Sequence, residues 1–507
     1  MTLRKRFVSG VYWNLLEHII LFGLGFFISI LIARGLGPAN YGIYASVSAV
    51  ITLISFIFAF GFENIINVYI PQLKTQNDGD TKTSFLLRKI ISLRLILSLF
   101  LGTVVFFFAQ AIASLIKQPE IYIYLRIMSL YIILAGLLTI LRMVFRSDLK
   151  NKLVTFSESL GNFCFLISVI IFFKFDFGIY GVISSLIIST AVSLLIYIAY
   201  FKKEYKSLPS KIENISSFYK LGFVAWTVNF STFVLGKHVD IVFLNYFKIA
   251  SEQIGFYSLS FSLLLMLYIS AQGLGPIAQS VFSETFAKNG YEGLNKSFKI
   301  IYKVNSILLL PLFIFALFNI KPLINIFYTE KFLGAAILFQ IFVLFRIIYS
   351  VVTAAGYTFS IFYVLNKKRL AFILNLIACS LNLFLDIILI PHFGVMGAVM
   401  ATGISVSVAG ILGIVFVMRQ LIFFIPLLFL FKLTMICLIA LMPTLLISSR
   451  SLPFLILKMF IYGMGIVLLT ILIKPIEKDE RYMFKGLHPW IDKAFSYINF
   501  FELEADL

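Results

Sequence analysis

Charge is scarce in this sequence. Of its 507 residues only 13% are Asp, Glu, Lys or Arg, about half the share in a soluble globular chain, while 61% are hydrophobic. That balance excludes an ordinary water-soluble domain. Cysteine is scarcer still: Cys164, Cys379 and Cys437 are the whole complement, each inside an apolar run, so no disulfide framework is implied. Histidine occurs four times, and no His/Cys/carboxylate set has the spacing of a metal centre. A phosphate-cradling Gly loop of the P-loop type and a Gly-x-Ser-x-Gly elbow are both missing. The sequence therefore offers no support for an enzyme, and without an ATP motif any work must draw on an ion gradient, the membrane potential or downhill supply.

What is abundant is the long apolar run. A hydrocarbon core of about 30 Å needs roughly 20 apolar residues per helix. About fourteen stretches qualify, near 10–33, 43–70, 89–115, 121–145, 154–174, 179–201, 222–246, 254–282, 300–319, 335–364, 370–391, 395–418, 424–448 and 453–473. The short alternating segments of a membrane barrel are absent, and helices satisfy their own backbone in lipid, so the expected fold is all-α and polytopic.

The net charge of +19 invites a nucleic-acid reading, but the placement of the bases opposes it. With the N-terminus inside, Arg4-Lys5-Arg6, Arg88-Lys89, Lys202-Lys203 and Lys367-Lys368-Arg369 all fall on the cytoplasmic side. The outer side keeps a thin set: Arg34, Lys117, Lys174, Lys248, Lys321, Lys331 and Arg450. The basicity thus sets topology and meets anionic lipid, and no nucleic-acid partner is expected. An even number of spans puts both termini in the cytoplasm.

One pattern occurs twice, roughly 210 residues apart. Gly10-Val-Tyr-Trp13 followed by Tyr41-Gly42-Ile43-Tyr44 answers to Gly222-Phe-Val-Ala-Trp226 followed by Ile254-Gly255-Phe256-Tyr257. Phe177-Gly178-Ile179-Tyr180-Gly181 answers to Phe393-Gly394-Val395-Met396-Gly397. Duplication of a multi-span unit is the mark of a transporter whose two lobes rock about a site. The division expected is an N-terminal lobe of helices one to six (1–201), a polar linker (202–221), a parallel C-terminal lobe of helices seven to twelve (222–420), appended helices thirteen and fourteen (421–474) and a cytoplasmic tail (475–507). The tail's apolar and basic mixture suits a helix lying on the inner leaflet.

Several stretches carry a resemblance. They are Ile32-Ala-Arg-Gly-Leu-Gly-Pro-Ala-Asn-Tyr-Gly-Ile-Tyr44, Pro322-Leu-Ile-Asn-Ile-Phe-Tyr-Thr-Glu-Lys-Phe332, Leu365-Asn-Lys-Lys-Arg369 and Pro391-His-Phe-Gly-Val-Met-Gly-Ala398. In these the chain resembles the polysaccharide or oligosaccharide (O-antigen type) flippases of the multidrug/oligosaccharidyl-lipid/polysaccharide exporter superfamily. The resemblance runs the whole length in order. It implies a multi-pass protein of the cytoplasmic (inner) membrane that turns a lipid-linked, polyprenyl pyrophosphate oligosaccharide from the inner to the outer leaflet by alternating access. Its partners would be that substrate, membrane lipids and glycan-assembly enzymes. Close alternatives are a lipid II-type flippase and an ion-coupled exporter of drug-like cations. The motifs themselves are packing signatures: Gly35, Gly37 and Pro38 predict a tight outer turn, and Gly42, Gly394 and Gly397 predict close helix approach.

Charges deep in lipid cost about 2.5–3.5 kcal/mol each and ask for a reason. Arg346 lies about eleven residues into its run, roughly 16 Å deep. Lys237, His238 and Asp240 lie within helix seven, Glu17 and His18 within helix one, and Glu63 within helix two. In the functional reading, Lys237, Arg346, Arg94 and His238 face a substrate pyrophosphate and sugar, Arg being suited by its planar fork. Glu17, His18, Glu63 and Asp240 then take up a coupling H+ or Na+, and no other cofactor is expected. In the structural reading, Lys237 and Asp240, at i and i+3, pair with each other and Glu17 is a neutral hydrogen-bonded strut. Arg126, Arg142, Lys432 and Lys458 stand near helix ends, where long side chains reach the headgroups.

Overall fold

The computed structural model describes residues 3–205, 216–272, 274–447 and 451–473. The tail at 475–507 and residues 206–215, half of the polar linker, lie outside the described residues. Where described, the chain is helical: α1 (Leu3–Ile57), α2 (Phe62–Leu73), α3 (Gly79–Leu115), α4 (Tyr122–Ser147), α5 (Asn151–Lys174), α6 (Gly178–Glu204), α7 (Ser216–Val234) and α8 (Lys237–Tyr246). Then follow α9 (Ser251–Gln272), α10 (Leu274–Tyr328), α11 (Ala335–Arg346), α12 (Ala355–Val364), α13 (Lys368–Phe393), α14 (Val395–Leu421), α15 (Leu427–Leu445) and α16 (Leu452–Ile473). No strand occurs among the described residues.

Eleven helical runs among the described residues are long and apolar enough to cross a membrane. One of them, Tyr12–Ile57, holds the expected first span and the start of the second. It bends at Gly37, whose φ of 69° and ψ of 172° only glycine adopts at ease, and Pro38 then starts the next helical turn with its φ already set. The expected stretches 43–70 and 222–246 are helical too, each broken once, and 254–282 lies on α9 and the start of α10. Lipid offers no water to the carbonyls freed at such breaks, so each must find a donor inside the protein.

Helix packing divides the described residues into two compact units. The first comprises residues 1–259 with 382–398, the second 260–381 with 399–507. In the first unit Ile65, Ile66, Ile70, Leu86, Leu87, Ile90, Ile140 and Val144 form a core under α2, α3 and α4. A second cluster joins Phe145, Val154 and Tyr197 of α4, α5 and α6. The repeated glycines meet here as a reciprocal contact. A Cβ on Gly42 would fall on the Ser251 carbonyl and reach 2.9 Å from the Gly255 nitrogen. One on Gly255 would fall on the Pro38 carbonyl and reach 3.2 Å from the Gly42 nitrogen. Each glycine is thus opposed by the residue four before the other, which is the pattern of a local two-fold axis. The close approach predicted for Gly42 is therefore present, and its partner is the glycine at the same place in the other copy.

In the second unit Phe282, Phe298, Tyr302, Ile361, Phe362 and Val417 tie α10, α12 and α14 together. Two helical glycines let α14 approach α11 and the segment after it: a Cβ on Gly403 would strike the Phe345 ring, and one on Gly410 would sit 2.6 Å from Thr353 Oγ1. The three cysteines are free thiols.

Candidate functional site

The polar groups of the first unit are mostly committed to one another. Glu17 on α1 is buried and accepts a 2.5 Å bond from Arg146 on α4. One turn back on α4, Arg142 donates to Glu158 of α5 at 2.7 Å, and the same carboxylate accepts the Tyr197 hydroxyl of α6 at 3.0 Å. Two acids thereby neutralise two arginines on one face of α4, as i, i+4 spacing requires. Arg142 was expected to reach toward headgroups. It turns inward instead, because a buried Glu158 without a counter-charge would be far more costly than an unsnorkelled arginine. His18 departs from Glu17's side: it is exposed, and its ring Nδ1 donates to the Asn14 carbonyl at 2.7 Å.

Arg94 serves a helix break. Between α1 and α2 the chain passes through Phe60 and Gly61, both with positive φ, and the last carbonyls of α1 lose their helical partners. Arg94 of α3 donates to the Phe58 carbonyl at 3.1 Å and to the Gly136 carbonyl at 3.2 Å. Trp226 of α7 donates to the Phe56 carbonyl at 3.0 Å. Glu63, on the first turn of α2, lies within electrostatic range of the guanidinium. Arg94 also lines a mostly apolar pocket of about 160 Å³ into which Thr52, Ser55, Ser98, Tyr131 and Thr139 bring a few polar atoms.

On α8, Lys237 donates to Ser258 at 3.4 Å, while His238 stacks on Phe233 and buries its Nδ1 without a hydrogen-bond partner among the described residues. Asp240 is fully buried and accepts the Tyr257 hydroxyl. Beside it stands Asp386 of α13, also fully buried. Its polar contact is with the Asp240 carboxyl, and no other described residue donates to either Asp386 oxygen. Two carboxyls side by side and fully buried cannot both carry a bare negative charge, so a proton or a cation must lie with them.

Arg346 belongs to the second unit and is set differently from the other arginines. It is the last residue of α11. Its guanidinium lies over the Tyr268 ring at 4.0 Å and near the Tyr349 ring at 5.3 Å. Its Nε is buried with no hydrogen-bond acceptor, and no salt bridge reaches it from the described residues. Cation–π contact holds the charge at about 0.5–2 kcal/mol without neutralising it or filling its donors. The neighbouring tyrosines carried no periodic signal in the sequence, since an aromatic in an apolar run reads as lipid-facing filler.

Outside the spans, Asp148 gathers Lys74 at 2.5 Å, Lys150 at 3.6 Å and the Tyr205 hydroxyl, joining the ends of α2, α4 and α6. Burial, and then the Asp148 carboxylate, holds the Tyr205 phenol well above its ordinary value, so it stays a neutral donor. Lys458 of α16, expected to snorkel, is buried and donates to Asn319 of α10 at 3.4 Å. Among the described residues no group of three or more His, Cys, Asp or Glu could hold a metal ion.

Comparison with known proteins agrees with this architecture. Residues 31–337 match a family described as polysaccharide biosynthesis protein. The chain is 23% identical over 427 residues to the uncharacterized membrane protein MJ1068 of Methanocaldococcus jannaschii, covering 79% of this chain and 82% of that one. It is 28% identical over 196 residues to the succinoglycan biosynthesis transport protein ExoT of Rhizobium meliloti, covering 38% and 36%. Its fold is similar to lipid II flippase MurJ in an inward closed conformation, with a TM-score of 0.71 and 19% identity over 92% of this chain and 98% of the other. An inward-facing multidrug resistance MATE family transporter of the MOP superfamily shares the fold at a TM-score of 0.60, with 16% identity over 81% and 94%. With its apolar helical runs, its fold and more than half its length matched, this multi-pass membrane protein belongs to the polysaccharide biosynthesis protein family.

Proposed function

We propose that the protein turns a polyprenyl pyrophosphate-linked oligosaccharide from the inner to the outer leaflet by alternating access, as a step in building a surface polysaccharide. One observation carries the reading: Arg346 is a guanidinium at membrane depth with aromatic faces against it, an unfilled Nε donor and no acid to neutralise it among the described residues. A pyrophosphate supplies what is missing, since it brings negative charge and paired acceptor oxygens to a planar fork. The family match and the name of the Rhizobium meliloti relative support a glycan as the cargo. The MurJ-like fold supports a lipid-linked form of it. The Asp240 and Asp386 pair then supplies coupling, taking up H+ or Na+ as its exposure changes.

The same acidic pair favours a second reading, an exporter of organic cations, because such an exporter needs buried carboxylates. Substrate charge separates the two. Purified protein in liposomes is given a fluorescent polyprenyl pyrophosphate disaccharide, and movement is read by quenching from outside. Arg346→Ala should abolish movement at equal membrane abundance, and Arg346→Lys should retain a fraction of it. Unchanged movement in Arg346→Ala, or transport of a lipophilic cation in place of the pyrophosphate, overturns the proposal.

A further inference from the structure

The run from α11 to α12 is one span by composition, yet it is broken just after Arg346. Residues Ile347–Val352 form a π-helical turn, wider by one residue than the α-helix around it. The Thr353 nitrogen reaches back five residues to the Ile348 carbonyl at 3.0 Å, and Ala354 is left-handed at a φ of 43°. A non-glycine residue there is strained and persists only where its surroundings enforce it.

The surroundings do enforce it, from three sides. Asn305 of α10 donates its Nδ2 to the Ser350 carbonyl at 2.7 Å, and Tyr302, one turn earlier, donates its hydroxyl to the Val352 carbonyl at 2.9 Å. Thr353 closes the Tyr349 carbonyl with its own Oγ1 at 2.7 Å, and Thr358 closes that of Thr353 at 2.8 Å. On α14, Gly410 leaves out the side chain that would collide with Thr353. Such a break is built, and the side chain it delivers is Arg346. Straightening the turn to α-helix would take one residue out of the winding and rotate α11 by about 100° against α12. That rotation would carry Arg346 off the Tyr268 ring.

We infer that Tyr302 and Asn305 are positioning residues for Arg346, holding the widened turn that keeps its guanidinium against Tyr268 and open to an anionic group. The inference rests on the proposed role of Arg346. Neither residue touches the anion; both act through the turn.

The test uses full-length protein in detergent with geranylgeranyl pyrophosphate as the probe, its affinity read by thermal-shift titration. Tyr302→Phe and Asn305→Leu should each weaken affinity by about tenfold, the loss expected of one hydrogen bond's worth of positioning. In an Arg346→Lys background the same changes should have little further effect, because the group they position has been replaced. Tyr462→Phe is the matched control. It removes a hydroxyl donated at 3.0 Å to the Pro311 carbonyl, also on α10, and should leave affinity unchanged. Should Tyr302→Phe prove too unstable to purify, Asn305→Ser carries the measurement. A lowered melting temperature with unchanged affinity, or an equal loss in the Arg346→Lys background, overturns the inference. An Arg346→Ala protein that binds the probe as well as the unaltered chain overturns the functional reading instead.

Discussion

Adding one methyl group at Gly42 tests the reciprocal glycine contact directly. A Cβ there would land on the Ser251 carbonyl, with the carbonyl carbon at 2.6 Å and the Gly255 nitrogen at 2.9 Å, inside the 3.0 Å that real Cβ atoms respect. All three atoms are backbone, so no side chain can swing aside and α1 and α9 must part. Overpacking of this kind costs about 1–3 kcal/mol. The same substitution at Gly25 on the first half of α1 meets nothing within 4 Å and should gain about 0.5–1 kcal/mol from the better helix propensity of alanine. Gly42→Ala should therefore melt several degrees below Gly25→Ala when both are heated in one detergent at one scan rate, which matters because unfolding of such proteins is often irreversible. Gly42→Ala with Gly255→Ala should cost less than the two separately, since a single separation of the helices makes room for both methyls. If Gly42→Ala melts with Gly25→Ala, the helices are not in backbone contact and the argument from the repeated glycines fails.

Two further perturbations address the acids. Arg146→Leu should destabilise the protein by about 3–5 kcal/mol, because it leaves the buried Glu17 carboxylate without its partner, and exchanging the pair as Glu17→Arg with Arg146→Glu should recover much of the lost membrane abundance. A Glu17→Gln protein that keeps its abundance but loses ion-dependent transport would reverse the structural assignment of Glu17. Asp386→Asn should leave melting unchanged or higher, since it removes one of two opposed carboxyls, while transport loses its response to an imposed H+ or Na+ gradient. A gradient response that survives in Asp386→Asn removes that pair from the coupling scheme.

The helices were legible because lipid makes the code simple: a run of about twenty apolar residues can do little else. The bend at Gly37-Pro38 was legible for a local reason, as both residues announce their backbone preferences. The break at Ile347–Ala354 was not. Its residues include Ile, Val and Thr with no proline or glycine, and the donors that sustain it come from α10, more than forty residues earlier. Charges divide in the same way. Counting residues from a helix end set Arg346 deep and set Arg142 and Lys458 as headgroup-seekers, yet the last two both point inward to partners on other helices. Depth along a helix is written in one dimension, whereas the carboxylate that claims Arg142 is on another helix and the amide that claims Lys458 is too. Tyr268, Tyr302, Asn305 and Arg146 were passed over for this reason. Each has meaning only through a partner on a different helix.

The two broken helices also show why the deep arginines cannot be ranked by depth alone. A break in lipid leaves carbonyls that must be met from within the protein. At Phe56–Gly61 the donors are the Trp226 indole and Arg94 itself, so two of the Arg94 N–H groups are spent on backbone before any ligand arrives. At Ile347–Ala354 neutral side chains, Asn305, Tyr302 and Thr353, do the same work, and the arginine next to the break is left with its charge unneutralised and a donor unfilled. One break is thus capped by an arginine and the other by an amide and hydroxyls, and only the first uses its neighbouring cation on the backbone. Arg94 therefore maintains the shape of its unit while lining a small pocket, whereas the Arg346 guanidinium keeps an unfilled Nε donor and meets no salt bridge among the described residues, which is why the proposed anion is assigned to it.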